Sequence, residues 1–217
     1  MTSPVAVPVE KFMSFSKFDL VQVTSGNVLR SGAGFTTSIA PAYWQVEGLS
    51  TPVLSRADKQ ALDAFFAKLG GGQVAALLYD PEKAFPLAYA ETGWTGLTVA
   101  GGSDPFDGTA NLYAITDVNT VTVNSLPASF ELTEGDHIGF VKSGRYSLHL
   151  ITDTVTGETG GNVDLSVSPP VPSYITAGAD AVFEKPRGEF IVSTGSISRA
   201  RGVNPQPVSF SARSRAN

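Results

Sequence analysis

The 217-residue chain contains no cysteine. Disulfides, thiol catalysis, thiolate zinc sites and iron–sulfur clusters are therefore excluded together, and a reducing compartment is expected. Charge is also scarce. Asp, Glu, Lys and Arg make up 16% of the residues, against about 25% in an ordinary soluble domain. A surface so short of charge points to contact with other protein. The longest strongly apolar run, Val74–Tyr79, falls far short of the roughly 20 residues of a membrane-spanning helix, and no membrane partner is expected. Met1–Glu10 has no basic head followed by an apolar block, so no secretory signal is expected either. A net charge of −5 speaks against a general nucleic-acid binder.

Glycine (22) and proline (14) are plentiful instead, and 42% of the residues are apolar. That is the profile of a folded, β-rich chain with many turns. Phe18, Leu20, Val21 and Val23 read as a strand, Ser25-Gly26-Asn27 as a turn, and Val28-Leu29-Arg30 as the returning strand. Tyr43-Trp44-Gln45-Val46-Glu47 alternates as a half-buried strand should. One helix is predicted over 56–69. Ser55 is its N-cap and Asp58 its capping-box partner; Leu62, Phe65, Phe66 and Leu69 form one apolar face, and Gly70-Gly71-Gly72 ends it. Val74–Tyr79 follows as a strand. Beyond a glycine-crowded stretch from residue 93, period-two strands are expected around Val118–Val123, Ile138–Val141, Tyr146–Leu150 and Val163–Val167. Lys142–Arg145 fits a hairpin turn between two of them. Strands every eight to twelve residues suggest a small barrel or sandwich. Glu189–Thr194 and Val208–Arg213 close the chain as strands.

The residues that usually carry chemistry are thin on the ground. His137 and His149 each stand alone in a predicted strand, where a surface or edge position is expected. No serine lies in a Gly-x-Ser-x-Gly elbow. The triple glycine follows a helix, whereas a phosphate cradle must precede one. Asp104-Pro105-Phe106-Asp107-Gly108 reads as a pair of turns, since it lacks the ligand spacing of a calcium loop. Trp44, Trp94, Tyr43, Tyr89 and Phe85 could stack sugar, but core or interface placement is the simpler reading. No catalytic residue, metal ligand or cofactor is assigned, and a protein that binds proteins is expected rather than an enzyme.

Two stretches resemble a known family. One runs from Tyr43–Glu47 through the Ser55-capped helix to Leu69-Gly70-Gly71-Gly72 and Leu77-Leu78-Tyr79-Asp80-Pro81. The other joins Glu134–Phe140, Tyr146–Leu150, Gly160–Leu165 and Val167–Pro172. Together they resemble the distal tail proteins of long-tailed bacteriophages. The resemblance implies a belt domain that forms a ring, commonly a hexamer, at the end of the tail tube, with a second small β-domain inserted and facing outward. Its partners would be copies of itself, the tube protein, the hub or baseplate protein, and fibres or receptor-binding proteins. Its place would be the virion tail tip, after synthesis in the bacterial cytoplasm. No sequence-specific nucleic-acid contact is implied, although phage DNA would pass through the lumen.

The resulting expectation is a mainly β protein. A β-sandwich belt with one helix would be built from residues 1–92 and 188–217, and an OB-like small β-barrel would occupy 93–187. Charge is divided along the chain: residues 187–217 hold five arginines against Glu189 alone, while the rest is strongly acidic. Arg199, Arg201 and Arg213 are therefore candidates for a subunit interface. Rival readings are a tail tube or terminator subunit, a carbohydrate- or receptor-binding β-module, and a hydrolase.

Overall fold

In a computed structural model, residues 3–8, 15–28, 34–50, 55–199 and 208–215 are described. Strand takes up 47% of the described residues and helical structure 12%, so the mainly β expectation holds. The first strands are β1 (Val5–Ala6), β2 (Lys17–Val28), β3 (Gly34–Ser50) and β4 (Ala76–Leu78), with helix α1 (Arg56–Lys68) between β3 and β4. Next come β5 (Thr109–Asp117), β6 (Thr120–Asn124), β7 (Glu131–Leu132), β8 (His137–Lys142) and β9 (Arg145–Ile151). The last are β10 (Val155–Thr156), β11 (Val163–Ser168), β12 (Ala179–Val182), β13 (Gly188–Val192), β14 (Ser198–Arg199) and β15 (Val208–Ser214).

The helix forms where its caps are. The Ser55 hydroxyl accepts a hydrogen bond from the Asp58 backbone N–H at 3.1 Å, and the Asp58 carboxylate accepts from the Ser55 N–H at 3.3 Å. This reciprocal pair satisfies two donors that a helix start leaves open. Past the C-cap Leu69, Gly70, Gly71 and Gly72 all take positive φ, a region that costs other residues a Cβ clash.

Six strands form a sheet in the order β1-β4-β13-β15-β3-β2, and β14 adds to β15 as the seventh. Only the β1–β4 pair is parallel. Strand alternation places Trp44, Val46, Ala76, Leu78, Phe190, Val192, Phe210 and Ala212 in one buried cluster with Leu62, Phe65 and Phe66 of α1 and its C-cap Leu69. Phe66 meets Phe210 edge-on at 5.4 Å between ring centroids. Leu148 of β9 joins the same cluster. Residues of opposite parity on the central strands are more open: Gln45, Ile191 and Ser211 are half-buried, and Arg213 is exposed.

The other main unit is a closed barrel, β11-β6-β5-β12-β8-β9, whose strands are all antiparallel to their neighbours. Phe130, Phe140 and Phe183 are among its fully buried side chains. The predicted hairpin turn at 142–145 joins β8 to β9. Ser143 and Gly144 both take positive φ, the combination that suits a two-residue hairpin loop. The barrel lies in sequence between β4 and β13, which are neighbours in the sheet, with Leu78 opposite Gly188.

Several expectations are corrected. Ser25-Gly26-Asn27 is no turn: β2 runs through it, pairing these residues with Thr37, Thr36 and Phe35. A two-sided polar ribbon has no burial pattern to mark it as strand. The returning strand is therefore β3; Leu29 and Arg30 lie outside the described residues. Val118 sits between β5 and β6 and is 60% exposed. Strand β5 escaped sequence reasoning because register shifts after Leu112 and Ile115 break its alternation. Residues 80–92, grouped by composition with the N-terminal strands, hydrogen-bond onto the barrel. Lys83 Nζ donates to the Gly135 carbonyl at 2.8 Å, Leu87 N–H to Asp136 at 2.9 Å, and the Tyr89 hydroxyl accepts from Glu131 N–H at 2.9 Å.

Candidate assembly surface

The hairpin of β2 and β3 is the most open part of the fold. Strand β3 pairs with β15 only from Gln45 onward, and β2 is the edge of the sheet. Beyond that point the ribbon, Val23–Val28 against Gly34–Ala40, rests on its own two strands alone among the described residues. The register breaks near Pro41, between the pairs Val21–Tyr43 and Val23–Ala40. Proline has no N–H for a ladder and is tolerated at such breaks. Thr36 to Pro41 are all exposed, and Ile39 is 64% exposed. An isolated two-stranded ribbon is marginal in water, and an uncovered edge strand is a ready template for another chain.

Where the sheet meets the barrel, a cleft of about 450 Å³ opens. Pro41 and Tyr43 line one side of it, and Tyr146, Pro170 and Tyr174 another; Glu189 and Arg213 also reach it. Glu189 is 4% exposed. Its Oε1 accepts from Arg145 Nε at 2.7 Å and from the Tyr146 N–H at 3.0 Å, while Oε2 lies 3.6 Å from Arg215 Nη1. The Arg145 guanidinium stacks 4.0 Å from the centre of the Tyr174 ring. A buried carboxylate thus pins barrel strand β9 to sheet strand β13. Sequence reasoning counted Glu189 only as the lone acid among five arginines and missed this role; that count was the available signal.

Both histidines are buried, 3% exposed for His137 and 0% for His149, which corrects the surface expectation. His137 leaves the barrel and packs against Trp44, 4.9 Å between ring centroids, and against Phe18. Its Nδ1 makes no hydrogen bond among the described residues, and burial pushes its pKa down to about 3. His149 lies 2.7 Å from the Pro169 carbonyl through Nδ1 and 2.6 Å from Ser147 Oγ through Nε2. The carbonyl can only accept, so Nδ1 carries the proton and Nε2 accepts from the serine. Burial lowers the His149 pKa to about 4. Ser147 is 9% exposed and touches the cleft. The pair has general-base orientation: His149 is sealed inside the barrel wall, and Ser147 stands between it and the cleft. Among the described residues no group of three or more His, Asp or Glu is placed to hold a metal.

The sugar-stacking set is split: Phe85, Tyr89 and Trp94 meet on the barrel, and Tyr43 and Trp44 lie on sheet strand β3. Trp44 is buried in the sheet cluster, its Nε1 donating to the Leu148 carbonyl at 2.7 Å. Trp94 is half-buried in the barrel cluster with Phe85 and Tyr89 beside it, its Nε1 donating to Glu184 at 3.1 Å. Of the three predicted interface arginines, Arg213 is exposed on the open side of β15. Arg199 has its backbone in β14, opposite Val208, and Arg201 lies outside the described residues. No family model matches the chain, and no curated protein sequence matches it.

Proposed function

We propose that the chain is a structural protein of a phage tail tip, a ring-forming distal tail protein that joins the tail tube to the hub or baseplate and its fibres. In this reading the sheet and helix are the ring-forming β-sandwich domain and the barrel is the OB-like inserted domain. The supporting observation is the β2–β3 ribbon, whose outer half extends past the strands that pair with it in the sheet and, among the described residues, pairs with no third strand. Its edge β2 and the opposite sheet edge β1 are different surfaces. A head-to-tail contact needs two unlike surfaces, and repetition of such a contact closes a ring when the rotation per copy divides a full turn. Arg213, exposed on the open side of the sheet, supplies the basic side of that contact against the acidic remainder of the chain.

Native mass spectrometry with negative-stain images tests the reading, first on the protein alone and then with purified tail tubes. Closed rings, six copies of the 22.7 kDa chain being expected, support it in either setting. A monomer in both settings overturns it.

A further inference from the structure

The cleft between sheet and barrel holds an acceptor left without a donor. Glu189 lines it and is 4% exposed, yet its Oε2 makes no hydrogen bond among the described residues. Oε1 accepts from both Arg145 and the Tyr146 N–H. Arg215 Nη1 stands 3.6 Å from Oε2, an ion pair too long for a hydrogen bond. A buried carboxylate oxygen with no donor is unfavourable. The cleft, about 450 Å³, falls within the roughly 300–1,000 Å³ of ligand sites, which favour junctions between units.

The groups around that oxygen are held in place. Tyr174 donates its hydroxyl to the Tyr146 carbonyl at 3.2 Å and lies under the Arg145 guanidinium. The backbone N–H of Arg215 donates to the Glu189 carbonyl at 2.8 Å, which fixes the root of its side chain beside β13. Ser214 Oγ accepts from the Trp44 N–H at 3.0 Å. The Arg215 head is different. Its side chain is 36% exposed, so the guanidinium has room to turn toward a ligand and away from Oε2.

The chemistry of this lining selects its ligand. The charged lining residues are Arg213, Arg215 and Glu189, and Glu189 is already shared with Arg145. The balance is positive, so an anion is favoured, and it must bring an N–H for Oε2. A carboxylate and an N–H on one carbon meet both needs. By standard bond lengths such a nitrogen lies about 2.7–3.6 Å from the carboxylate oxygens, a span that matches the 3.6 Å between Oε2 and Arg215 Nη1. Every polypeptide carries this arrangement at its C-terminal residue. A free amino acid carries it too, but its ammonium would stand among guanidiniums, and like charges repel. Tyr43, Tyr146, Tyr174 and Pro170 supply an apolar wall for the last side chain. We infer that the cleft binds the C-terminal residue of a partner polypeptide. The terminal carboxylate sits on Arg215, with Arg213 adding charge. The N–H of that residue donates to Glu189 Oε2, and an apolar or aromatic side chain packs on the tyrosines. The site lies within one chain, so it goes beyond the ring reading and does not rest on it.

The test is an array of short peptides with every residue type at the last position, each made with a free C-terminal carboxylate and again with an amide. Free acids ending in apolar or aromatic residues should bind the full chain. Amidation should weaken binding at least about tenfold, because it removes the charge that Arg215 pairs. A last residue of proline, which has no N–H for Oε2, should weaken it severalfold. Arg215→Gln should abolish the preference for the free acid, and its partly exposed position should keep the melting temperature within a few degrees of the parent. No binding by any free-acid peptide would overturn the inference. So would equal binding of acids and amides, undiminished binding of peptides ending in proline, or a free-acid preference that survives in Arg215→Gln. Ring formation by native mass spectrometry should be the same in parent and variant, so either reading can fail alone.

Discussion

The barrel and the sheet solve the same problem in opposite ways. Each of the six barrel strands has a partner on both sides, so the unit leaves no main edge unpaired. Among the described residues the sheet ends in two open edges, β1 and β2, and carries a ribbon that outruns its neighbours. Closure is the way a β-structure removes its own templates for association; an open sheet keeps them. One unit is closed by its own strands; in the reading proposed above, the other is completed by a second chain.

Four experiments break or sharpen this contrast. Acidification should have the largest effect. Both buried histidines have lowered folded-state pKa values, about 3 for His137 and about 4 for His149, against an ordinary value of 6.5. Below pH 6.5 the unfolded chain takes up protons that the folded chain refuses. Stability should therefore fall as pH drops from 6.5 toward 4, by up to about 1.4 kcal/mol per pH unit for each histidine. Urea melts across that range would show it. His137→Leu, which replaces a ring whose Nδ1 has no partner, should remove its share of the slope; an unchanged slope would mean that His137 titrates normally.

Core truncation comes next. Phe190→Ala in the sheet and Phe130→Ala in the barrel should each cost about 3–5 kcal/mol. Hydrogen exchange should place the first loss in sheet amides while the barrel stays protected, because the barrel closes without the sheet. Equal loosening of both by Phe190→Ala would show one cooperative unit and erase the contrast. Third, Glu189→Gln weakens the pin between the two. Arg145 is partly exposed and can turn to water, so about 1–3 kcal/mol is expected, read from thermal melts together with cross-linking between β9 and β13. Last, Ile39→Glu on the ribbon should change monomer stability by no more than about 0.5 kcal/mol, yet abolish rings on tail tubes. Rings formed by this variant would remove the ribbon from the interface.

Helix α1 was legible because its signals are local: a capping box, a stripe at helical spacing and three glycines lie within eighteen residues. Strands β8, β9 and β11 were legible from alternation, and the 142–145 turn from Ser-Gly. The ribbon was not, because Ser25, Gly26 and Thr36–Ser38 are all exposed and so show no period. Both histidines were misplaced for a different reason. A strand residue that faces a neighbouring unit looks the same in sequence as one that faces water, and His137 is buried only because Trp44 and Phe18 arrive from far earlier in the chain. The Glu189 pin also depends on residues brought together from separate strands, which spacing could not announce.

The pairing of Leu78 with Gly188 has a consequence for how such a molecule can change. Residues opposed in an antiparallel ladder lie about 5 Å apart, a gap that a two-residue turn can span. The whole stretch between them could be deleted, exchanged or enlarged while every strand of the sheet kept its neighbours. The constraint on any such graft is local and apolar. Leu148, Leu150 and His137 are laid by the barrel against the cluster that holds Phe190, Trp44 and Phe18, so a replacement must bring a cover of its own for those three rings.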